Sequence, residues 1–241
     1  MKTNAIYTTF QGEVNPFGMG QPCLFLRLQG CHIRCYKTTL NQLCDTIEAL
    51  KKPMEHELIG DIVAKAHKMA SEHQLRVITL TGGDPLWNKE EEVTELLRDL
   101  TTLNYNVCVE TSGTISWLPY HAISKNLYWV LDYKLNSCGV KDAKKLFMDK
   151  AHLDVLSPKD FIKFVVYDEL DMVEAIEAIH YLKYKTTAKL AVGAYWGGSL
   201  GTLEIFNRLK EEKLLGHTVI NMQTHKLVVN PDFTSVIPEK I

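Results

Sequence analysis

Three of the six cysteines in this 241-residue chain lie close together, as Cys31, Cys35 and Cys44. Their spacing, C-x3-C-x8-C, places three thiols in one loop, and thiolates are ligands for soft metals. Three thiolates can hold three irons of a [4Fe-4S] cluster and leave the fourth iron open to a small ligand. The alternative is a structural zinc site with His32 or Cys23 as the fourth ligand. The spacing alone does not separate these two kinds of metal site.

Composition narrows the setting in which such a loop would work. The formal net charge of −2 argues against broad binding to nucleic acid or to anionic membrane, because both need a surplus of Lys and Arg. The N-terminal sequence MKTNAIYTTFQGE lacks the apolar run of a signal peptide, and no stretch approaches a membrane span. We therefore expect a cytoplasmic protein, where clustered thiols are metal ligands or catalytic groups rather than disulfides.

Elements that could position this loop recur along the chain. Three amphipathic segments predict helices: ELIGDIVAKAHKMASEH, NKEEEVTELLRDLTTL and DELDMVEAIEAIHYLKY. In the last of these we expect Leu170, Val173, Ile176 and Ile179 to form the buried face. Seven apolar runs predict buried strands: PCLFLRLQG, RVITLTGG, YNVCVETSG, LYWVLDYK, FIKFVVYD, AKLAVGAY and HTVINMQTH.

Strand and helix in alternation predict an α/β fold with a parallel sheet, either open or curled into a barrel. We expect a single domain over residues 1–241, with an irregular insertion at about 36–56 and a tail at about 231–241. Ligand sites of such folds lie at the carboxyl ends of the strands. Polar motifs follow five of the predicted strands: the cysteine loop, TGGDP, ETSGT, DYK and QTHK. Each alone could be a turn or a helix cap, but five in series predict a ligand site.

The motifs FQGEV, RLQGC, CDT, TGGDP, ETSGT and QTHK, in this order, resemble the 7-carboxy-7-deazaguanine synthase (QueE) family of the radical S-adenosylmethionine (SAM) superfamily. The resemblance spans nearly the whole chain. It implies a partial (β/α)6-type radical SAM barrel with the cluster loop at its mouth. It also implies an enzyme, a carbon–nitrogen lyase, that contracts 6-carboxy-5,6,7,8-tetrahydropterin to 7-carboxy-7-deazaguanine with loss of ammonia, a step in queuosine and 7-deazapurine biosynthesis.

The resemblance implies a [4Fe-4S] cluster, SAM and Mg2+ as cofactors. Cys31, Cys35 and Cys44 would bind three irons, and SAM would chelate the fourth and be cleaved to a 5′-deoxyadenosyl radical, serving as a regenerated cofactor. Thr46 of CDT would supply a ligand to Mg2+, which prefers oxygen donors. The residues implied for SAM are Leu43, Gly82, Gly83, Asp84, Ser112, Asp132, Tyr133 and Lys134.

The substrate implied by the resemblance carries a carboxylate, and Arg27 is the cation assigned to it. Strict alternation in PCLFLRLQG puts Leu24, Leu26 and Leu28 on one face and Phe25 and Arg27 on the other. A charge in so apolar a strand needs a partner, either a substrate carboxylate or an internal Asp or Glu. The other residues implied for the substrate are Phe10, Gln11, Gly12, Thr81, His225 and Lys226.

The chain departs from the family pattern at several places. The interval before the third cysteine is x8 where the family has x2, and Leu43 stands where an aromatic residue usually precedes that cysteine. Asp84 replaces the usual Glu of G-G-E-P and is one methylene shorter, and Val14 replaces a Gly. GAYWGG stands in place of a Q-P pair, and the tail after QTHK is longer than usual.

Three other functions share part of this pattern. Another radical SAM enzyme, such as a glycyl-radical activase, would share the cluster and GGDP. A zinc-stabilised binding module would explain the cysteines alone, and a non-catalytic relative acting as a binding protein would keep the fold. By resemblance we expect a small-molecule pterin substrate, an electron donor such as flavodoxin or ferredoxin, and a homodimer. We expect no direct binding to nucleic acid or membrane.

Overall fold

The computed structural model describes residues 1–35, 44, 48–51 and 55–226. Its strands form one eight-stranded sheet in sequence order. The strands are β1 Thr3–Phe10, β2 Pro22–Leu28, β3 Val77–Gly82, β4 Asn106–Thr111, β5 Leu127–Tyr133, β6 Phe161–Val166, β7 Lys189–Ala194 and β8 Thr218–Ile220. β1 is antiparallel to β2, and all other neighbours are parallel. This mostly parallel sheet, with β1 and β8 at its edges, confirms the predicted partial α/β barrel.

The helices are α1 Glu48–Lys51, α2 Ile59–Glu72, α3 Glu90–Thr102, α4 Lys145–Met148, α5 Lys150–Asp154, α6 Glu169–Leu182 and α7 Thr202–Glu211. Single 3-10 turns occur at Pro85–Trp87, Leu118–Tyr120, Asn136–Cys138, Leu215–His217 and Thr224–Lys226. The three predicted helices are α2, α3 and α6. Within the described ranges, no helix combines the length and the apolar composition that crossing a bilayer requires.

The buried face predicted for α6 is confirmed at Ile179 and in part at Ile176, but it is wrong at Leu170 and Val173. Leu170 and Val173 are exposed, while Met172, Ala175 and Ile179 are buried against the sheet. The helix carries apolar residues on more than one face, so its periodicity offers two candidate stripes. The stripe that packs contains alanine, because small side chains allow a helix to approach the sheet closely.

The two faces of the sheet differ in chemistry. Leu24, Leu26 and Leu28 are fully buried in the core between the sheet and the helices, as alternation predicts. The opposite, inner face of the sheet carries Phe25 and Arg27, both half-buried. This inner face is where a ligand could reach polar side chains.

A loop from Gln11 to Gln21 connects the antiparallel pair β1 and β2. Because β1 runs against the other strands, this loop lies at their amino ends. Its backbone bonds to the segment that follows β8: Val14 N donates to Asn221 Oδ1 at 2.9 Å, and Thr224 N donates to the Gly12 carbonyl at 2.8 Å. The loop and this segment thereby bridge the two sheet edges, and they bring QGE and QTHK together.

Candidate active site

The cysteine loop leaves β2 at its carboxyl end. Cys31 is half-buried and Cys35 is buried, while Cys44 is half-buried. Burial raises the pKa of the Cys31 thiol above its ordinary value, and the neighbouring Asp84 and Cys35 add to this. Among the described residues, no three His, Cys, Asp or Glu side chains are grouped closely enough to hold a metal ion. The three-cysteine ligand set therefore stays a prediction, although its soft thiols have the chemistry that iron–sulfur ligation requires.

Gly82 and Gly83 pack directly against the base of this loop. A Cβ on Gly83 would lie 2.1 Å from the Gly30 carbonyl oxygen and 3.0 Å from Cys31 Cβ. Gly82 has φ of +143°, and a Cβ there would lie 2.1 Å from the Leu28 carbonyl oxygen. Glycine is required at both positions by backbone contact within the chain. The predicted contact of this turn with SAM would lie beside the cysteine loop, at the carboxyl ends of the strands.

Asp84 is fully buried, and its carboxylate is occupied by groups of the chain itself. Oδ1 accepts from Leu86 N at 3.1 Å and from Thr111 Oγ1 at 2.7 Å. Oδ2 accepts from Ser112 N at 3.2 Å and also from Ser112 Oγ. A carboxylate offers about four lone-pair sites, and these four donors fill them. Direct contact of Asp84 with SAM stays a prediction, whereas the geometry gives its carboxylate an internal role between the ends of β3 and β4.

Arg27 and Thr81 are paired neighbours in the register of β2 and β3 on the inner face. The Arg27 guanidinium donates to Tyr7 Oη at 3.2 Å. In the described part of the chain it has no carboxylate within ion-pair distance. The internal Asp or Glu partner considered from the sequence is therefore not found among these residues. The two substrate residues implied on these strands do lie side by side.

Lys163 is a buried cation at the centre of the inner face, on β6. Its Nζ donates to Glu13 Oε2 at 2.6 Å and lies 3.1 Å from Asp132 Oδ1. Asp132 Oδ2 accepts from Lys134 Nζ at 2.7 Å, and Glu13 Oε1 accepts from Gln223 Nε2 at 2.7 Å. Ion pairs thus join the loop after β1 to β6 and the end of β5, and a hydrogen bond from Gln223 adds the segment after β8. We call Glu13, Asp132, Lys134 and Lys163 the inner charge network.

The charges of this network hold each other in the ionised form. Burial opposes ionisation of Asp132, but the ammonium groups of Lys134 and Lys163 outweigh it and lower its pKa to about 2. Burial likewise opposes ionisation of Glu13, and Lys163 again lowers the carboxyl pKa. The carboxylates of Asp132 and Glu13 raise the pKa of Lys163 above its ordinary value despite its burial. Glu110 on β4 behaves differently, because burial raises its pKa more than Lys163 lowers it.

The depressed pKa of Asp132 predicts a pH-dependent contribution to stability. Its folded pKa lies below the unfolded value, so the stabilisation is complete above pH of about 4 and is lost as the pH falls through about 2. The shift corresponds to roughly 2 kcal/mol. We expect Asp132→Asn to lower the free energy of unfolding by about this amount at pH 7 and by little at pH 2, as measured by urea titration of cluster-free protein. An equal loss at both pH values would contradict the assignment.

The loop after β1 brings the remaining implied substrate residues together. Gln11 is buried and donates its side-chain amide to Thr79 Oγ1 on β3. Gly12 lies against His225, since a Cβ on Gly12 would fall 2.4 Å from the His225 ring nitrogen Nδ1. Phe10 ends β1 half-buried, and Lys226 is also half-buried. FQGE and QTHK are therefore one assembly, although they lie at opposite ends of the sequence.

Three predicted site residues remain: Tyr133, whose side chain faces the core, and Leu43 and Thr46. Tyr133 points to the helix side of the sheet, opposite Asp132, and packs in the core at 5.0 Å from the Phe147 ring and 4.9 Å from the Phe164 ring. The Tyr133 side chain faces away from Asp132 because adjacent strand residues face opposite sides, so the SAM contact predicted for Tyr133 stays a prediction that its backbone would have to make. Leu43 and Thr46 lie outside the described residues.

The sequence interpretation missed Glu13, Glu110 and Lys163. Glu13 stands in the quoted motif FQGEV without a role, and Lys163 is a lone cation in the apolar strand FIKFVV. The second pattern is the one that singled out Arg27 in PCLFLRLQG. A charged residue at an alternate position of an apolar strand was therefore a usable signal for Lys163 as well as for Arg27.

The cysteines outside the proposed ligand set occupy different environments. Cys23 and Cys108 are fully buried on β2 and β4. Cys23 is thus held within the sheet, apart from the loop cysteines to which it was considered as a fourth zinc ligand. Cys138 follows β5 and is hydrogen-bonded to Cys35, a contact that raises the Cys138 pKa together with burial.

Comparison with known proteins identifies similar chains. The 4Fe-4S single cluster domain family matches residues 17–139, a range that contains all three cysteines of the loop. A 7-carboxy-7-deazaguanine synthase of Koribacter versatilis is 28% identical over 98% of this chain and 100% of its own. A protein of the same name from Pyrobaculum aerophilum is 34% identical over 71% of this chain and 69% of its own. These matches favour an iron–sulfur cluster over a zinc site.

A solved structure, QueE from Escherichia coli, has a similar fold. It superimposes with a TM-score of 0.59 over 93% of this chain and 94% of its own, at 23% sequence identity. At this identity the likeness concerns the fold alone. It agrees with the open, mostly parallel sheet described above.

Proposed function

Because this chain belongs to the 7-carboxy-7-deazaguanine synthase family of radical SAM enzymes, we propose that it contracts the ring of 6-carboxy-5,6,7,8-tetrahydropterin to 7-carboxy-7-deazaguanine and releases ammonia. The observation that carries this proposal is Arg27. It lies on the inner face beside Thr81 and has no ion-pair partner among the described residues. A substrate carboxylate would be a planar, bidentate partner for its guanidinium.

Two cofactors would bind at the cysteine-loop side of the sheet. Cys31, Cys35 and Cys44 would hold a [4Fe-4S] cluster, and the GGD turn with Ser112 would lie beside SAM. When bound, the cluster and SAM supply the radical chemistry that initiates the reaction. The protein binds and orients the substrate and excludes water from the inner face.

The inner charge network supports binding of a polar heterocycle. Its charged groups are fixed by one another, so little reorganisation accompanies binding. Lys163 pairs with Glu13 at 2.6 Å and lies 3.1 Å from Asp132. It thus links the loop that carries the proposed substrate residues to a residue proposed to bind SAM. We infer that Gln11, Gly12 and His225 close the substrate side, because the loop after β1 and the segment after β8 meet there.

The role of Arg27 is tested with two pterins that differ only in the 6-carboxylate. We expect wild-type protein to bind the carboxylated pterin at least about tenfold more tightly than tetrahydropterin, by isothermal titration under anaerobic conditions. Arg27→Ala removes the cation and Arg27→Lys keeps the charge without the planar fork. Both substitutions should reduce this preference, and Arg27→Ala should abolish it.

A matched control is Arg98→Ala, since Arg98 is an exposed residue on the outer helix α3. It should leave the preference unchanged. An Arg27→Ala protein that keeps the full preference for the carboxylated pterin, and remains folded, would contradict the assignment.

Further features of the proposal rest on the resemblance. We propose Thr46 as a Mg2+ ligand and Leu43 as a SAM neighbour, a flavodoxin- or ferredoxin-type electron donor, and a homodimer. A cytoplasmic location and one domain over residues 1–241 belong to the same proposal. Direct metal analysis of a Thr46→Val protein, compared with wild type in the presence of substrate and Mg2+, tests the metal assignment.

A further inference from the structure

A chain of hydrogen bonds runs from the cysteine loop to the buried carboxylate of Asp84. His32, the residue after Cys31, has its Nε2 at 2.9 Å from Thr114 Oγ1. Thr114 Oγ1 lies 2.6 Å from Ser112 Oγ, which in turn donates to Asp84 Oδ2. The chain thus links the loop at the end of β2 to the turns that follow β3 and β4.

The carboxylate at its end fixes the direction of every bond. A carboxylate only accepts, so the one Ser112 hydroxyl proton is used on Asp84. Ser112 Oγ must then accept the Thr114 hydroxyl proton, and Thr114 Oγ1 must accept from His32 Nε2–H. Each hydroxyl donates once, and bonds aligned in this way strengthen one another. The order also requires a proton on His32 Nε2.

Each end of this hydrogen-bond chain makes a further contact. The His32 ring stacks on Trp87 with centroids 5.0 Å apart and an interplanar angle of 27°. At the other end, Asp84 is fully buried and accepts from Thr111 Oγ1 at 2.7 Å and from Leu86 N at 3.1 Å. His32 is exposed, and the half-buried Thr114 is the sole side chain among those described that joins it to Ser112.

We propose that Thr114 is a positioning residue that fixes the first turn of the cysteine loop through His32, and so holds the proposed cluster in place beside the SAM side of the site. The inference rests on the proposed cluster but not on the pterin reaction. Asp84, the acidic residue of GGDP, anchors the hydrogen-bond chain, and its carboxylate is saturated by groups of the protein.

Thr114→Val and Thr114→Ser separate the hydroxyl from the rest of the side chain. Valine has nearly the same shape and cannot hydrogen-bond, whereas serine keeps the hydroxyl. In reconstituted protein, we expect Thr114→Val to lose iron to a chelator about fivefold faster than wild type and Thr114→Ser to remain within about twofold. The electron paramagnetic resonance spectrum of the reduced cluster, recorded with and without SAM, should change in Thr114→Val and return in Thr114→Ser.

Thermal unfolding followed by circular dichroism controls for a general loss of stability. A Thr114→Val protein that matches wild type in iron release and in its spectra would overturn the proposal. So would a Thr114→Ser protein as impaired as Thr114→Val, because the hydroxyl would then not be the active group. None of these measurements uses the pterin, so a result that overturns this proposal is distinguishable from failure of the proposed reaction.

Discussion

Replacing Lys163 by methionine should both destabilise the protein and nearly abolish its activity. Methionine keeps most of the volume but removes the cation that pairs with Glu13 at 2.6 Å and lies 3.1 Å from Asp132. Breaking a buried ion pair on one side typically costs about 3–5 kcal/mol, because the other charge remains buried without a partner. Asp132 keeps Lys134 at 2.7 Å, so the lower end of this range is expected in urea unfolding at pH 7.

The loss of activity has a separate cause. Without Lys163, the carboxylates of Glu13 and Asp132 repel each other and shift, and a small misplacement in an active site can lower turnover by about 100-fold. Adding Glu13→Gln to Lys163→Met should recover part of the stability, since it removes one uncompensated charge. It should not recover activity.

Lys189→Met provides the matched control for Lys163→Met. Lys189 is exposed on the neighbouring strand β7, with Nζ 5.2 Å from the Phe161 ring centroid. Its loss should change the free energy of unfolding by less than about 1 kcal/mol. If Lys163→Met were as stable and as active as Lys189→Met, the inner charge network would have no role in folding or function.

Substitution of any cysteine in the loop should remove the iron–sulfur cluster. After anaerobic reconstitution we expect about four irons and four sulfides per wild-type chain, with the brown absorption of a [4Fe-4S] cluster. Cys31→Ala, Cys35→Ala and Cys44→Ala should each bind less than about one iron and lose this absorption, because a three-cysteine site has no ligand to spare. Activity should then fall below detection.

Cys23→Ala and Cys108→Ala are the controls for this series. Both cysteines are fully buried in the sheet, so each substitution should lower stability slightly while the iron content stays at the wild-type level. One colourless zinc per wild-type chain in place of iron would contradict the cluster assignment. So would full iron binding by the loop variants.

Periodicity predicted the sheet better than it predicted its edges. β2 to β7 are largely apolar and mostly buried, and buried parallel strands have this pattern. The run HTVINMQTH, predicted as a buried strand, forms only the short β8, whose residues are half-buried or exposed. β1 was absent from the predicted strands because it is half-buried along most of its length and carries mixed residues. α7 was also missed, although Ile205 and Leu209 are four positions apart, lie on one helical face and are both buried.

The candidate site was predictable where one strand carried the pattern and not where partners came from distant segments. Arg27 on the inner face followed from alternation, and the same rule would have placed Tyr133 in the core. The pairing of Lys163 with Glu13 joins residues 150 positions apart and depends on barrel curvature. The saturation of Asp84 by Thr111 and Ser112 likewise arises only when β3 and β4 are paired.

The proposed reaction is tested most directly by its product. Reconstituted wild-type protein is incubated anaerobically with SAM, a reductant, Mg2+ and 6-carboxy-5,6,7,8-tetrahydropterin, and the mixture is analysed by mass spectrometry. We expect 7-carboxy-7-deazaguanine in several-fold excess over enzyme, with little net loss of SAM, and none from Cys31→Ala protein. Absence of this product from protein that carries an intact cluster and binds SAM would contradict it.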